Sequence, residues 1–419
     1  MTYPLCRLNA VASLFAVSAG ACAAAAPSAD APFADVVVVS GSRTEHTSFD
    51  LPASIDVIDS TRIGAAQARV NASESLSSVP GLAAQNRQNY AQDLQISSRG
   101  FGARSAFGVR GVKLIADGIP ATMPDGQGQA ATFNLDTAER IEVLRGPGSA
   151  IYGNHSGGTI NVFTRDGQGR PSVAASVIGG SDGQRKIDTT AQGESNGIGY
   201  VIDASRFETD GYRSHSAATR DQAFAKLTMA LGAGKLTLVA NTLEQNDTQD
   251  PLGVTLATYT RDARAGEIDA TDTQSPKRTL AERYNTRKSI DHQQIGASYE
   301  QHFGADRVRV TVYGGNRKVI QYQAFSKFVQ TPVTQSGGVV DFDRDFYGVD
   351  VNWSSERALA GGTLRTTLGI DYGRSRDVRQ GFENFIGANF GLKGNLRRDE
   401  TDTVSSTDPY AQAEWLAGP

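Results

Sequence analysis

Five histidines are the side chains of this sequence best suited to acid–base or metal chemistry, and their spacing argues against both. They are His46, His155, His215, His292 and His302. No pair of them has metal-ligand spacing, and the chain contains no H-E-x-x-H, Walker or G-x-S-x-G motif. We therefore expect each of them to be a surface or girdle residue rather than a ligand, and we expect neither an enzyme nor a protein with a bound metal or cofactor.

The charge balance excludes nucleic acid as a partner. The 419 residues contain 41 lysines and arginines and 45 aspartates and glutamates, so there is no basic excess to neutralise phosphates. Both cysteines, Cys6 and Cys22, lie near the N-terminus, and the rest of the chain has no thiol for a disulfide or a thiolate metal site.

Residues 1–26 have the pattern of a secretory signal peptide. Arg7 supplies the positive end, residues 8–17 are apolar, and small residues surround a cleavage site. A lipoprotein signal ending at Cys22 is the alternative, but Ala19 stands where such signals favour leucine. The sequence predicts an exported protein.

A valine run follows within residues 27–45, which otherwise have the composition of a flexible linker. The run consists of Asp35, Val36, Val37, Val38, Val39 and Ser40. An exposed strand-forming segment is an aggregation hazard unless it adds to the sheet edge of a partner, and the chain would then offer it no partner strand of its own. The alternative is the first strand of the following domain, and the sequence leaves both open.

Residues 46–166 have the pattern of a small α+β domain with a central sheet. Runs of β-branched residues at 141–144 and 159–164 alternate with loops rich in Gly, Pro and Asp. Glycine pairs, at 100 and 102 and at 157 and 158, predict positive φ or a close approach to another segment. We expect this sheet to be separate from the strands that follow.

Residues 172–419 consist of long segments in which apolar and polar residues alternate. In one of them the apolar residues are Val308, Val310 and Val312, and the charged ones are Arg307 and Arg309. About ten such strands, joined alternately by short turns and long loops, are typical of an antiparallel transmembrane β-barrel of the outer membrane. We expect the valines to face lipid and the arginines to face the lumen. A soluble β-sandwich is the alternative, although it would bury many charged groups.

About ten strands are too few to close around a domain of this size, because plugged outer-membrane barrels have about 22 strands. An open sheet edge is not tolerated in lipid. We therefore expect the chain to be the N-terminal part of a longer protein with a 22-stranded barrel.

Several motifs resemble those of TonB-dependent outer-membrane receptors. Residues 35–40 are similar to the family's TonB box, with Val36 where threonine is commoner. The family's plug signature is matched at residues 141–147, 150–153 and 157–162. The resemblance implies that residues 46–166 are a plug inside a barrel begun by residues 172–419. It also implies an outer-membrane monomer, in contact with lipid, that pairs through the box with TonB and its inner-membrane energising complex.

One subgroup of the family, taken to import pyrroloquinoline quinone, resembles the chain further. The similar runs are residues 85–95, 98–102 and 117–129, and more thinly 206–207, 211–213, 250–251, 284–288 and 396–400. The resemblance implies active uptake of a scarce anionic small molecule, for which pyrroloquinoline quinone or an iron chelate would be the ligand. The alternatives are a ferric-siderophore or ferric-citrate receptor and a non-transporting surface barrel or adhesin.

The resemblance also implies roles for individual residues. An anionic, planar ligand needs guanidinium groups, amides and an aromatic ring, which the apical plug loops offer. The ligand candidates are Arg87, Gln88, Asn89, Tyr90, Arg104, Phe107, Met123, Asp125 and Gln127. Ion pairs would hold the plug in the barrel; their candidates are Glu139, Arg140, Glu142 and Arg145 in the plug and Arg307, Arg309 and Arg365 in the barrel. Each is also compatible with an ordinary solvated residue.

Overall fold

The structure is a computed structural model that describes residues 37–38, 46–47, 54–65, 67–86, 88–105, 108–146, 151–153 and 155–417. The expected signal peptide lies outside these ranges, as do Asp35, Val36, Val39 and Ser40 of the valine run. The other two valines form β1 (Val37–Val38), which pairs antiparallel with β2 (His46–Thr47). This corrects the expectation that the run has no partner strand within the chain.

The N-terminal domain is built around a small mixed sheet. Its strands and helices are β3 (Ser54–Asp59), α1 (Ser60–Gly64), α2 (Ser73–Leu76), β4 (Leu82–Gln85), β5 (Gln95–Ser98), β6 (Lys113–Ala116), β7 (Ile119–Pro120), β8 (Ala138–Arg145) and β9 (Thr159–Thr164). Five of these strands form one sheet in the order β3-β8-β9-β6-β7, and β4 pairs with β5 alone. Since β8 pairs only with β3 and β9, residues 141–144 belong to this sheet, as the sequence predicted.

The core of this domain lies between the sheet and the two short helices. Leu76, Leu114, Ile141 and Ile160 are fully buried there. Burying a side chain of this size stabilises a fold by about 1.5–3 kcal/mol. The core therefore holds the domain together independently of its polar surface.

The sequence predicted positive φ or a close approach to another segment at the glycine pairs, and the pair at 157 and 158 shows both. Gly158 has φ +123°, and a Cβ there would overlap the Leu144 carbonyl oxygen. At Gly157 a Cβ would lie 2.7 Å from the Gly111 carbonyl oxygen and 2.8 Å from Phe101 Cβ. The chain can thus pass between neighbouring segments only without a side chain.

We expect Gly158→Ala to destabilise the protein by about 2–4 kcal/mol, because strain at positive φ adds to the overlap with Leu144. Gly118 is the matched control, since it has φ +82° but open space around it. Gly118→Ala should cost only about 1 kcal/mol. Urea unfolding of the full-length protein measures both, and equal losses would contradict the close-approach argument.

The second part of the chain is an antiparallel sheet. Its elements in order are β10 (Ser172–Gly179), β11 (Arg185–Ser195), β12 (Ile198–Thr209), β13 (Ala218–Leu231), β14 (Gly234–Gln249), α3 (Leu256–Arg261), α4 (Leu280–Tyr284), β15 (Arg287–Phe303), β16 (Asp306–Tyr322), α5 (Lys327–Gln330), β17 (Val339–Leu359), β18 (Gly362–Phe382), β19 (Phe385–Ile386), β20 (Asn389–Phe390) and β21 (Leu396–Leu416). Ten strands pair in chain order from β10 to β18 and then β21, and β19 pairs with β20 in a connecting loop. No helix in the described part of the chain is long and apolar enough to cross a bilayer.

Side chains in the ten-stranded sheet alternate as the sequence predicted. Val312 is 46% exposed on the outer face, whereas Arg307 and Thr311 of the same strand are buried. Arg309 and Thr311 line a cavity beside the N-terminal domain, so their face is the inner one. The predicted orientation of the valines and arginines is confirmed.

The sheet curves around the N-terminal domain, because every one of its ten strands contacts that domain. The contacting residues are, in strand order, Ser176, Lys186, Asp203, Arg220, Asn241, Lys288, Arg317, Arg344, Asp371 and Tyr410. Most of these contacts are polar. The inner face is therefore filled by the N-terminal domain and not by a second sheet, as a sandwich would require.

Candidate functional site

The candidate site is a cavity of about 650 Å³ between one loop of the N-terminal domain and two loops of the sheet. The loop joins β4 to β5, whose pairing from Leu82↔Ser98 to Gln85↔Gln95 holds its two ends together. Asn86 and Asn89 shape it, because their side-chain oxygens accept hydrogen bonds from the Gln88 and Ala91 backbone N–H groups at 2.7 and 3.1 Å.

The opposite side of the cavity is formed by the loops that connect β12 to β13 and β14 to β15. It consists of Tyr212, Arg213, Ser216, Asp250, Pro251, Leu252 and Gly253. From the N-terminal domain, Asn86, Gln88, Asn89 and Gln92 complete the lining. The cavity thus presents carboxamides, one guanidinium and one carboxylate, a donor set suited to a small polar ligand.

Arg213 holds the two loops on this side of the cavity together and supplies the cavity's positive charge. Its guanidinium donates to the carbonyl oxygens of Leu252 at 2.6 Å and Ala265 at 3.1 Å. Burial lowers the pKa of Arg213 below its ordinary value, but an arginine remains charged at neutral pH. The cavity therefore contains a fixed cation.

Asp250 joins the two sides of the cavity. Its carboxylate accepts a hydrogen bond from Asn89 Nδ2 at 2.7 Å and another from Gln92 Nε2. The loop of the N-terminal domain is tied to the sheet beside it as well, because Gln245 Nε2 donates to the Tyr90 carbonyl oxygen at 2.7 Å. The loop is therefore positioned by the sheet and not only by its own hairpin.

The structure places the sequence-predicted ligand residues in different surroundings. Gln88 and Asn89 line the cavity, whereas Arg87 and Phe107 lie outside the described residues. Arg104 is exposed elsewhere, Met123 is buried, and Gln127 lies in the Met123–Gln127 turn. None of these three belongs to the cavity lining.

Tyr90 and Asp125 are packed against the sheet instead of lining the cavity. The Tyr90 ring lies 5.0 Å from the Phe207 ring, and burial raises the pKa of its phenol to about 12. Asp125 forms an ion pair with Arg344 at 3.1 Å. Both residues contact the sheet, and their assignment as ligand contacts stays a prediction.

Sequence reasoning missed Gln92, Arg213 and Asp250 as site residues. All three lie in runs that carry the subgroup resemblance, and that resemblance could have pointed to them as site residues. The described residues contain no group of three or more His, Cys, Asp or Glu side chains placed to hold a metal ion.

Comparison with known proteins identifies the domain. The TonB-dependent receptor plug domain model matches residues 47–160. The N-terminal domain therefore matches the TonB-dependent receptor plug domain and is called the plug below. The chain is 28% identical over 180 residues to the vitamin B12 transporter BtuB of Vibrio vulnificus, covering 42% of this chain and 28% of the relative. It is 23% identical over 424 residues to the hemin receptor of Yersinia enterocolitica, covering 91% of this chain and 59% of the relative.

The fold beyond the plug is shared with solved transporters. The unliganded ferric citrate transporter FecA superposes with a TM-score of 0.72 and 18% identity, over 92% of this chain and 57% of that one. The ferric yersiniabactin uptake receptor FyuA of Yersinia pestis gives a TM-score of 0.63 at 14% identity, over 87% and 61%. The chain thus spans little more than half the length of these structures. The ten-stranded sheet has the fold of part of a barrel wall and is called the barrel wall below; β10 and β21 are its unpaired edges in the described part of the chain.

These comparisons confirm two expectations. The relatives are transporters and receptors rather than enzymes. The predicted outer-membrane localisation is confirmed as well, by the match to the TonB-dependent receptor plug domain together with neighbours such as the ferripyoverdine receptor of the outer membrane of Pseudomonas aeruginosa.

Ion pairs hold the plug to the barrel wall. They include Lys113–Asp371, Lys186–Asp136, Lys226–Asp117, Lys288–Asp93 and Arg344–Asp125, with N···O distances of 2.7–3.1 Å. In most of them the cation belongs to the wall and the carboxylate to the plug. The sequence analysis expected ion pairs between plug and barrel, and these five pairs join other residues than the candidates named there.

The residues predicted for these pairs form other ion pairs, within the plug or within the wall. These pairs are Arg140–Glu142, Arg140–Glu139, Arg145–Asp56, Arg307–Glu300, Arg309–Glu300 and Arg365–Glu356. The physical reason is local: Arg309 stands directly opposite Glu300 on the neighbouring strand, and Arg365 directly opposite Glu356. Each of these two arginines thus has an acidic partner on the neighbouring strand of the wall.

Asp93 shows how the wall stabilises a plug carboxylate. Burial would raise its pKa, but the charges of Lys288 and Arg317 and hydrogen bonds from Lys288 and the Gly108 N–H hold the pKa below the ordinary value. A carboxyl whose pKa is lower in the folded state stabilises the fold above its unfolded pKa. That contribution is lost as the pH falls through the folded value.

We expect Asp93→Asn to lower the free energy of unfolding by about 1–3 kcal/mol at pH 7. The difference from the wild type should stay constant down to about pH 4 and shrink below it. Urea unfolding of the full-length protein between pH 3 and 7 tests this. Asp247→Asn is the control, because the Asp247 side chain is 74% exposed. A deficit that is the same at pH 3 and pH 7 would contradict the argument.

Proposed function

We propose that the full-length protein is a TonB-dependent transporter that takes up a scarce anionic small molecule, pyrroloquinoline quinone, across the outer membrane. The cavity between plug and wall carries this proposal, because it combines the Arg213 guanidinium with the carboxamides of Gln88, Asn89 and Gln92. These groups recognise carboxylates. A volume of about 650 Å³ suits a small molecule.

The subgroup resemblance supports pyrroloquinoline quinone as the ligand. Its three carboxylates match the donors, and Gln88, Asn89 and Gln92 stand within the run that resembles the subgroup. Arg213 and Asp250 stand in two of the weaker runs. Residues that are far apart in the sequence and carry the resemblance therefore meet at one cavity. Arg87, which precedes Gln88, remains a proposed ligand residue.

A ferric-siderophore or ferric-citrate receptor is the second candidate. Ferric citrate is also an anion with carboxylates, and the fold is shared with the ferric citrate transporter FecA. The vitamin B12 and hemin relatives add two further ligands to be tested. A non-transporting barrel or adhesin has no use for a plug that fills its interior.

Transport would use the valine run and a closed barrel around the plug. Residues 35–40 would pair with TonB, energised from the inner membrane, and the force would displace the plug. The ten-stranded sheet would belong to a closed barrel of about 22 strands, as a monomer in outer-membrane lipid. A segment that pairs through two or three main-chain hydrogen bonds, each about 1 kcal/mol net, would bind reversibly.

We expect the full-length receptor to bind pyrroloquinoline quinone more tightly than ferric citrate, hemin or vitamin B12. Isothermal titration of the detergent-solubilised receptor with each ligand measures this. The titration should be repeated at raised ionic strength, where an affinity due to charge falls. Tighter binding of ferric citrate would establish the second candidate in place of the first.

We expect Val37→Pro to abolish uptake by cells while leaving ligand affinity unchanged, because proline removes the backbone N–H and fixes φ. Val37→Ala keeps the N–H and is the control, which should retain uptake. Normal uptake by the Val37→Pro receptor would exclude energised transport through this segment.

A further inference from the structure

We propose that the side-chain amides of Asn89 and Gln92 form a carboxylate-binding subsite, which Asp250 occupies until a ligand carboxylate replaces it. The subsite deepens the proposed function and depends on it only for the identity of the ligand. The proposal concerns one contact between the plug and the barrel wall, and the chemistry of that contact.

The geometry of the contact is that of a bound carboxylate. Asn89 Nδ2 donates to Asp250 Oδ1 at 2.7 Å, and Gln92 Nε2 donates to Oδ2, so each carboxamide serves one oxygen. The Leu252 N–H adds a third hydrogen bond to Oδ1 at 3.0 Å. Asp250 is 4% exposed. The two plug amides thus hold both oxygens of a carboxylate at the edge of the cavity that they line.

The backbone of Asp250 is fixed, so only its side chain can leave the amides. Asp250 directly follows the last residue of β14. Its N–H donates to the Thr286 carbonyl oxygen at 2.9 Å, and its own carbonyl oxygen accepts from Thr286 Oγ1 at 2.6 Å. Rotation of the side chain would leave Asn89 and Gln92 in place with their donors facing the cavity.

The charges of the cavity favour an exchange of carboxylates. In the described part of the chain, the hydrogen bonds of the Arg213 guanidinium go to the carbonyl oxygens of Leu252, Pro251 and Ala265. None of these acceptors is a carboxylate, and Asp250 and Glu267 act on the guanidinium through their charges without an ion-pair contact, so it still attracts an incoming anion. Asp250 is the negative charge that such an anion meets, and it competes for the same two amides.

The exchange would also change how the plug is attached. The loop between β4 and β5 is held to the wall by Asn89 and Gln92 through Asp250, by the Tyr90 carbonyl through Gln245, and by Asp93 through Lys288. A ligand that takes the amides removes the first of these ties. Occupancy of the cavity would therefore loosen the apex of the plug from the barrel wall.

Asp250→Asn tests the exchange, because it removes the competing charge and keeps the volume of the side chain. We expect the full-length Asp250→Asn receptor to bind pyrroloquinoline quinone about tenfold more tightly than the wild type. The trimethyl ester of the quinone, which lacks carboxylates, should show no such gain. The plug variant Asn89→Ala/Gln92→Ala should bind the quinone about tenfold more weakly. Asp247→Asn is the matched control at the exposed end of β14 and should bind as the wild type does.

Hydrogen exchange gives a second readout, and its comparison of the variant with the wild type needs no ligand. The backbone N–H groups of residues 88–93 should exchange faster in Asp250→Asn than in the wild type. Addition of the quinone should speed their exchange in the wild type. If the wild type binds no quinone, the proposed ligand is wrong, and ferric citrate replaces it as the carboxylate probe. Unchanged exchange in Asp250→Asn, an affinity that does not rise, or no binding of either carboxylate probe would overturn the subsite.

Discussion

The structure depends on buried cations of the barrel wall that find their partners on the plug. Lys186 shows the arrangement: its ammonium contacts both oxygens of Asp136 and the carbonyl oxygens of Ala68 and Arg69. A buried charge without such partners would cost several kcal/mol. The inner face of the wall is therefore stable in this form only with the plug inside it, and the plug is oriented by the positions of these cations.

The alternation of side chains predicted the wall correctly because it is a local property. A period of two puts Arg307 and Arg309 on one face and Val308 and Val310 on the other, whatever the strands contact. The strands extend beyond the apolar segments that mark them in the sequence. β17 and β18 each reach 21 residues.

The partners across the plug–wall boundary could not be predicted in this way. Which plug residue meets Lys288 depends on the rotation of the plug in the lumen, and no local pattern encodes that rotation. Glu142 and Arg145 were plausible by type, but each had a nearer partner, in Arg140 and Asp56. The lining of the candidate cavity could not be predicted for the same reason. Asn89, Arg213 and Asp250 come from three separate segments, and only the folded chain brings them together.

Many of the wall's side chains bind the plug through its main chain. Arg220 donates to the Val70 carbonyl oxygen, Asn241 to that of Thr132, and Gln294 to that of Pro120. A carbonyl oxygen is present whatever side chain the residue carries. Substitutions on the plug side of these contacts therefore leave the hydrogen bonds intact, whereas substitutions on the wall side remove them. These main-chain contacts would therefore tolerate a plug of different sequence and the same backbone path, whereas the ion pairs with Asp136, Asp117, Asp93 and Asp125 require particular plug side chains.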